Sequence, residues 1–176
     1  MSKVRTAAIL LALTFGAAPA LPVSATAVAG VARACAAGSD KPALLVRVTG
    51  FKAHTGTVRV QSYGGDPDHY FDKGTYLKRI DVPVPASGPL EVCVPVPHPG
   101  QYAVSVRHDI NGSGHTEKSD GGGMSGNPHV SLMDLILKRK PSPGEVAVKV
   151  GDGPRTVPIV LNYLQGTSFR PIASSN

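Results

Sequence analysis

Apolar and polar residues alternate along most of this chain. Residues 43–49 set Leu44, Val46 and Val48 on one face, and 56–63 set Val58 and Val60 inward with Thr57, Arg59 and Gln61 outward. Residues 77–84 are less regular, while 89–96 align Leu90, Val92, Val94 and Val96 with Cys93 on the opposite face. In 101–108, Tyr102, Val104, Val106 and His108 point one way and Ala103, Ser105 and Arg107 the other. Residues 131–137, 145–150 and 156–163 are read as further strands, the last repeating Val157, Ile159, Leu161 and Tyr163. A period of two residues is that of a half-buried strand, and Gly, Pro, Asn, Asp or Ser bound each run.

Seven to eight short strands without a long 3.6-residue period predict an all-β fold, a sandwich of two antiparallel sheets, immunoglobulin-like or transthyretin-like. One short helix is expected at 66–74, where Asp66 can cap, Pro67 suits the first turn and Gly74 can close the end. Pro83, Pro85, Pro95, Pro97 and Pro99 mark strand ends or edges, because proline donates nothing to a ladder. Residues 121–123, three glycines, read as a flexible link, and the polar residues 166–176 as a frayed tail.

The amino terminus changes the picture of location. Lys3 and Arg5 precede an apolar run over 7–18, which has the length of a signal-peptide core and is too short for a membrane span. Small residues around Ala18 and Ala27 suit cleavage, and Ala27 is the favoured end. The expected organisation is therefore a signal peptide at 1–27, an N-terminal segment at 28–42, a β-sandwich domain at 43–165 and a tail at 166–176. Location is expected to be periplasmic or secreted, with no membrane span after cleavage. Loss of Lys3 and Arg5 lowers the net charge from +6 to +4. The only tight basic cluster, Lys138-Arg139-Lys140, reads as a solvated loop start before Pro141. Few aromatics and no Trp argue against stacking on bases, so no nucleic-acid partner is expected.

Two cysteines in an exported chain read as a disulfide between Cys35 and Cys93, tethering the segment before residue 43 to a strand near mid-chain. The chain-entropy model gives about 4 kcal/mol for closing a loop of that length.

Candidate chemistry concentrates after the 101–108 strand, where the chain becomes an oxygen-rich loop. Counted from Asp109, oxygen side chains fall at the first, third, fifth, ninth and twelfth positions: Asp109, Asn111, Ser113, Glu117 and Asp120. Gly114 holds the sixth, and His115 can offer a carbonyl at the seventh. This is the spacing of a calcium loop, and three carboxylates suit a weak extracellular-type Ca2+ site of about 10⁻⁴–10⁻³ M. The competing reading is an Asx- and Gly-rich turn. His108, His115 and His129 have no spacing that forces convergence on zinc or copper. Gly123-Met124-Ser125-Gly126 lacks the second glycine of a nucleophile elbow, because Asn127 stands there.

Tyr102-Ala103-Val104 followed by His108-Asp109-x-Asn111-Gly112-x-Gly114, with a terminal Leu161-Asn162-Tyr163, resembles the exported bacterial proteins grouped as domain-of-unknown-function family twenty-one forty-one. The resemblance spans 44–163 and implies a periplasmic or secreted β-sandwich without an assigned activity. Ser113 stands where that pattern has Asn. The functional expectation is an exported binding or structural module that recognises an envelope protein or surface component, with Ca2+ ordering the 109–120 loop. The alternatives are an envelope adhesion module that uses a sheet edge without an ion, and a metal-dependent hydrolase built on His108 and His115. No catalytic constellation emerges from the residues.

Overall fold

A computed structural model describes residues 33–172. The signal-peptide reading of 1–27, the start of the 28–42 segment and the last four residues of the tail lie outside the described residues.

The strands are β1 (Ala43–Thr49), β2 (Thr57–Tyr63), β3 (Lys78–Pro83), β4 (Leu90–Pro95), β5 (Gly100–Asp109), β6 (Gly121–Met124), β7 (Val148–Val150), β8 (Pro154–Val160), β9 (Asn162–Gln165) and β10 (Ser168–Pro171). They form the two-sheet sandwich that the alternation predicts, with ten strands instead of seven or eight. The small sheet has the order β4-β1-β8. The large sheet runs β10-β9-β6-β5-β2-β3, with β7 beside the start of β5. One pairing departs from the antiparallel expectation: β1 runs parallel to β8.

The inward sets make the core. Leu44, Val46 and Val48 face Val58, Val60, Val104 and Val106 across the gap, with Val92, Val94, Val157 and Ile159 completing it, all buried. Each such side chain contributes about 1.5–3 kcal/mol relative to exposure. The run 156–163, read as one strand, is two. β8 belongs to the small sheet and β9 to the large one, and Leu161 turns the corner, its N–H donating to Thr49 O at 2.9 Å. Crossing between sheets keeps Ile159, Leu161 and Tyr163 all inward.

Five other local readings are corrected. The glycines of 121–123 are no flexible link but strand β6, paired with β5 and β9. Their missing side chains make room for core groups: a Cβ on Gly121 would stand 2.4 Å from Tyr163 Cε1, and one on Gly123 would stand 2.6 Å from Ile159 Cγ2.

Residues 131–137 are not a strand. A short helix, α1 (Leu132–Ile136), forms where Ser131 and Asp134 cap each other: Asp134 N–H donates to Ser131 Oγ, and Ser131 N–H donates to Asp134 Oδ2 at 3.0 Å. Likewise 145–150 splits into a helical turn, α2 (Pro143–Val146), and β7; Glu145 accepts from both Ser142 N–H and Ser142 Oγ. The expected helix at 66–74 shrinks to a 3₁₀ turn, Pro67–His69. Asp66 does cap it, accepting from Asp68 N–H, but Tyr70 is drawn into a buried cluster with Tyr63, Ala103 and Val146, and Phe71 leaves the helical region at φ 66°.

The tail reading at 166–176 is overturned for 168–171, which pair with β9 as β10. The disulfide is present, Cys35 to Cys93, with Cα atoms 5.8 Å apart. Among the described residues, no helix is long and apolar enough to cross a membrane.

Candidate functional site

The β5–β6 hairpin carries the 109–120 loop at its tip, and the base of that tip is a row of three residues across three strands. His108 on β5 pairs with Gly121 on β6, which pairs with Tyr163 on β9. The absent side chain of Gly121 lets the Tyr163 hydroxyl reach across the strand to His108 Nδ1, 2.6 Å away. The other ring nitrogen, Nε2, lies 2.9 Å from Thr55 O. A backbone carbonyl only accepts, so Nε2 carries the proton and Nδ1 accepts from the Tyr163 hydroxyl. Tyr163 Oη in turn accepts from Lys52 N–H at 3.2 Å. Phe51 packs edge-on against the imidazole with centroids 5.3 Å apart. His108 and Tyr163 are both fully buried, and every polar atom of the pair has a partner, as buried polar groups require. Burial pushes the Tyr163 hydroxyl up to about 12; the Lys52 N–H opposes the rise and the Asp120 carboxylate adds to it.

The loop itself is held by its two buried carboxylates. Asp109 Oδ1 accepts from Ser113 N–H at 3.0 Å and Oδ2 from Gly114 N–H at 2.8 Å. Asp120 accepts from Glu117 N–H at 3.0 Å and, more loosely, from Ile110 N–H at 3.4 Å. Arg107 fastens the far side, donating to Thr116 Oγ1, Gly114 O and Asp109 Oδ2. At the surface, Asn111 Nδ2 donates to Glu117 Oε2 at 2.8 Å, Asn111 Oδ1 accepts from Ser113 N–H, and Ser113 Oγ accepts from His115 N–H. Gly112 and Gly114, at φ 69° and 79°, take the left-handed conformations that bring these amides round.

All six residues predicted as calcium ligands come together in one hydrogen-bonded network, His115 through its backbone, which meets Ser113 Oγ at 3.3 Å, while its side chain stays exposed. The network is organised around backbone N–H groups. All four oxygens of Asp109 and Asp120 are turned to amides, and the Asn111 oxygen is likewise engaged. As arranged, this donor set does not fit a calcium ion, which needs six to eight oxygens facing one centre. Among the described residues, no group of three or more His, Cys, Asp or Glu side chains is placed to share a metal. His108 offers no open nitrogen for the hydrolase alternative. Ser125, of the elbow-like stretch, is buried, accepting from Val104 N–H and donating to Val146 O.

Tyr163, Gly121, Thr55 and Arg107 belong to this candidate site and were missed by the sequence reading. A signal for one of them existed: the inward sets of two strands each end in a polar-tipped residue, His108 and Tyr163, and an inward hydroxyl and an inward imidazole each need a partner.

No curated protein and no solved structure matches this chain. A family model described as an uncharacterized protein conserved in bacteria (DUF2141) matches residues 46–158, well over half of the 176 residues. The matched range runs from β1 through the hairpin and its tip to β8, and Tyr163 lies just beyond it. This sandwich with its self-tied hairpin tip is therefore a member of the uncharacterised bacterial family DUF2141.

Proposed function

We propose that the chain is a non-catalytic binding module of the bacterial cell envelope, offering the outward side chains of its 110–119 tip to a partner protein or surface component. The observation that carries this reading is the inward use of Asp109 and Asp120. Their carboxylates hold four loop amides, so the tip keeps its shape without an ion, while Asn111, His115 and Lys118 remain at the surface. A loop already ordered in the free protein loses less conformational entropy on binding. Loops fixed on a rigid sheet are frequent binding elements. The residues best suited to catalysis by type, His108 and Ser125, are committed to structural hydrogen bonds, which favours binding over turnover. The Cys35–Cys93 disulfide supports an oxidising compartment.

The test is photo-cross-linking in the expressing bacterium, with the photoreactive residue at position 115 and, as reference, at position 47 on the outer face of the small sheet. A discrete adduct from position 115 alone is expected. Adducts from both positions, or from neither, would overturn the reading.

A further inference from the structure

We propose that Asn111 is a site of spontaneous deamidation, at which the main-chain nitrogen of Gly112 displaces the side-chain amide and the hairpin tip slowly gains a carboxylate. The described residues hold three asparagines, and their surroundings differ. Asn127 is followed by Pro128, which has no N–H to supply a nucleophile. Its own amide is spent on the edge of β8, donating to Pro158 O and accepting from Val160 N–H. Asn162 is half-buried in β9, donates to Val160 O and precedes the buried Tyr163. Asn111 is exposed, and so is Gly112 after it. Gly112 has nothing within 4 Å of where a Cβ would stand, and its N–H makes no hydrogen bond among the described residues. A glycine lets the main chain approach a reacting group closely, and a nucleophile one residue away reacts without an encounter step.

The loop also holds both ends of the amide that reacts. Asn111 Oδ1 accepts at 3.1 Å from the Ser113 N–H, which it shares with Asp109, and Nδ2 donates to Glu117 Oε2 at 2.8 Å. Loss of the Gly112 N–H proton to hydroxide leaves a nitrogen that bonds to Asn111 Cγ. Negative charge then builds on Oδ1, where the Ser113 N–H stabilises it. The bond from Cγ to Nδ2 breaks, and ammonia leaves with a proton drawn from water, its developing positive charge met by the Glu117 carboxylate. Water opens the resulting cyclic imide at either carbonyl, giving aspartate or its β-linked isomer. The balance is one water consumed and one ammonia released, with no oxidant or reductant. The new carboxylate stands where the amide bonded Glu117, so a hydrogen bond gives way to like-charge repulsion. The bonds of Asp109 and Asp120 to loop amides do not pass through Asn111, so the tip keeps its base and changes its outward surface. The chemistry needs no partner for the tip.

The test follows the purified, disulfide-bonded protein over days at neutral and mildly alkaline pH by mass mapping of its peptides, with isoaspartyl methyltransferase marking the β-linked product. Asn111 is expected to convert at least about ten-fold faster than Asn127 or Asn162, and faster at the higher pH. Its rate in the folded protein is expected to be no more than about ten-fold below that of the same chain unfolded in urea. Glu117→Gln keeps a hydrogen-bond acceptor but removes the charge; it should slow the folded protein about three-fold or more and leave the unfolded chain unchanged. Asn111→Gln, which would need a larger ring, should yield no product at this position. A folded rate further below the unfolded one, equal rates at the three asparagines, or a folded rate indifferent to Glu117→Gln would each overturn the proposal. Absence of the position-115 adduct would remove the tip's partner and leave the mass result standing, so the two readings fail separately.

Discussion

Replacing Tyr163 by Phe removes one oxygen and nothing else, so it isolates the hydrogen bond that joins β9 to β5. The hydroxyl donates to His108 Nδ1 at 2.6 Å, where both residues are fully buried. Its loss leaves a buried imidazole nitrogen without a donor, which costs about 1–3 kcal/mol. The Lys52 N–H also loses its acceptor, but Lys52 lies at the surface and water can replace the bond. About 2 kcal/mol is the expected total, or about 4–8 °C in Tm for a domain of this size. Denaturant unfolding of the two proteins measures it. Amide exchange adds a second readout, because His108 directly precedes Asp109: amides of 109–121 should exchange faster in Tyr163→Phe than those of β1 and β4. In the parent protein the nitrogen shifts of His108 should report a proton on Nε2. A loss below about 0.5 kcal/mol, the size of an ordinary surface substitution, would refute the account of the row.

The same hydroxyl sets an alkaline limit. Tyr163 ionises at about 12 in the folded protein against 10.0 unfolded, so its contribution is intact below pH 10 and is lost as pH rises to 12. That amounts to about 2–3 kcal/mol, read by denaturation midpoints at stepped pH, and the fall should shrink in Tyr163→Phe. Gly121→Ala puts a methyl 2.4 Å from Tyr163 Cε1 and should cost about 3 kcal/mol or more in a denaturant melt, whereas Gly122→Ala, with 3.6 Å to Phe169 Cζ, should cost under about 1 kcal/mol; equal costs would contradict the packing argument. Millimolar calcium or a chelator should leave Tm unchanged, because the loop carboxylates are engaged; a rise with calcium would show that they open to an ion. Reducing Cys35–Cys93, separated by 58 positions, should lower stability by about 4 kcal/mol in unfolding curves taken with and without reductant.

The sandwich was legible wherever side chains alternated, since alternation records which face is buried. Leu44, Val46 and Val48, then Tyr102, Val104, Val106 and His108, lie inward as their spacing predicts. Where a residue's role is to be absent, alternation has nothing to record. β6 is glycine at 121, 122 and 123, so its strand character comes from the bulk of Tyr163 and Ile159 opposite. Residues 131–137 failed for a different reason. Leu132 and Ile136 satisfy a two-residue and a four-residue period alike, and the decision rests on Ser131 and Asp134 capping each other. The parallel pairing of β1 with β8 was hidden because register between distant strands leaves no local trace. Likewise β10 is polar apart from Phe169, whose ring has a place only because Gly122 vacates one.

The tip shows most clearly where a sequence pattern stops short of chemistry. A calcium loop and a self-capped turn draw on the same residues, since both need short oxygen side chains near glycines that allow left-handed backbone. What separates them is the direction in which Asp109 and Asp120 aim their lone pairs, and backbone conformation sets that. Gly112 and Gly114 at positive φ bring the Ser113 and Gly114 amides onto Asp109, so the carboxylate meets N–H groups where an ion would otherwise lie. The same loop conformation brings Thr116 Oγ1 and Gly114 O to Arg107. One backbone path thus turns both carboxylates to loop amides and fastens Arg107 against the tip. A tip opened by calcium would release the Ser113 and Gly114 N–H groups from Asp109, so amide exchange at these two residues, measured with and without calcium, should not change if the tip is held as described.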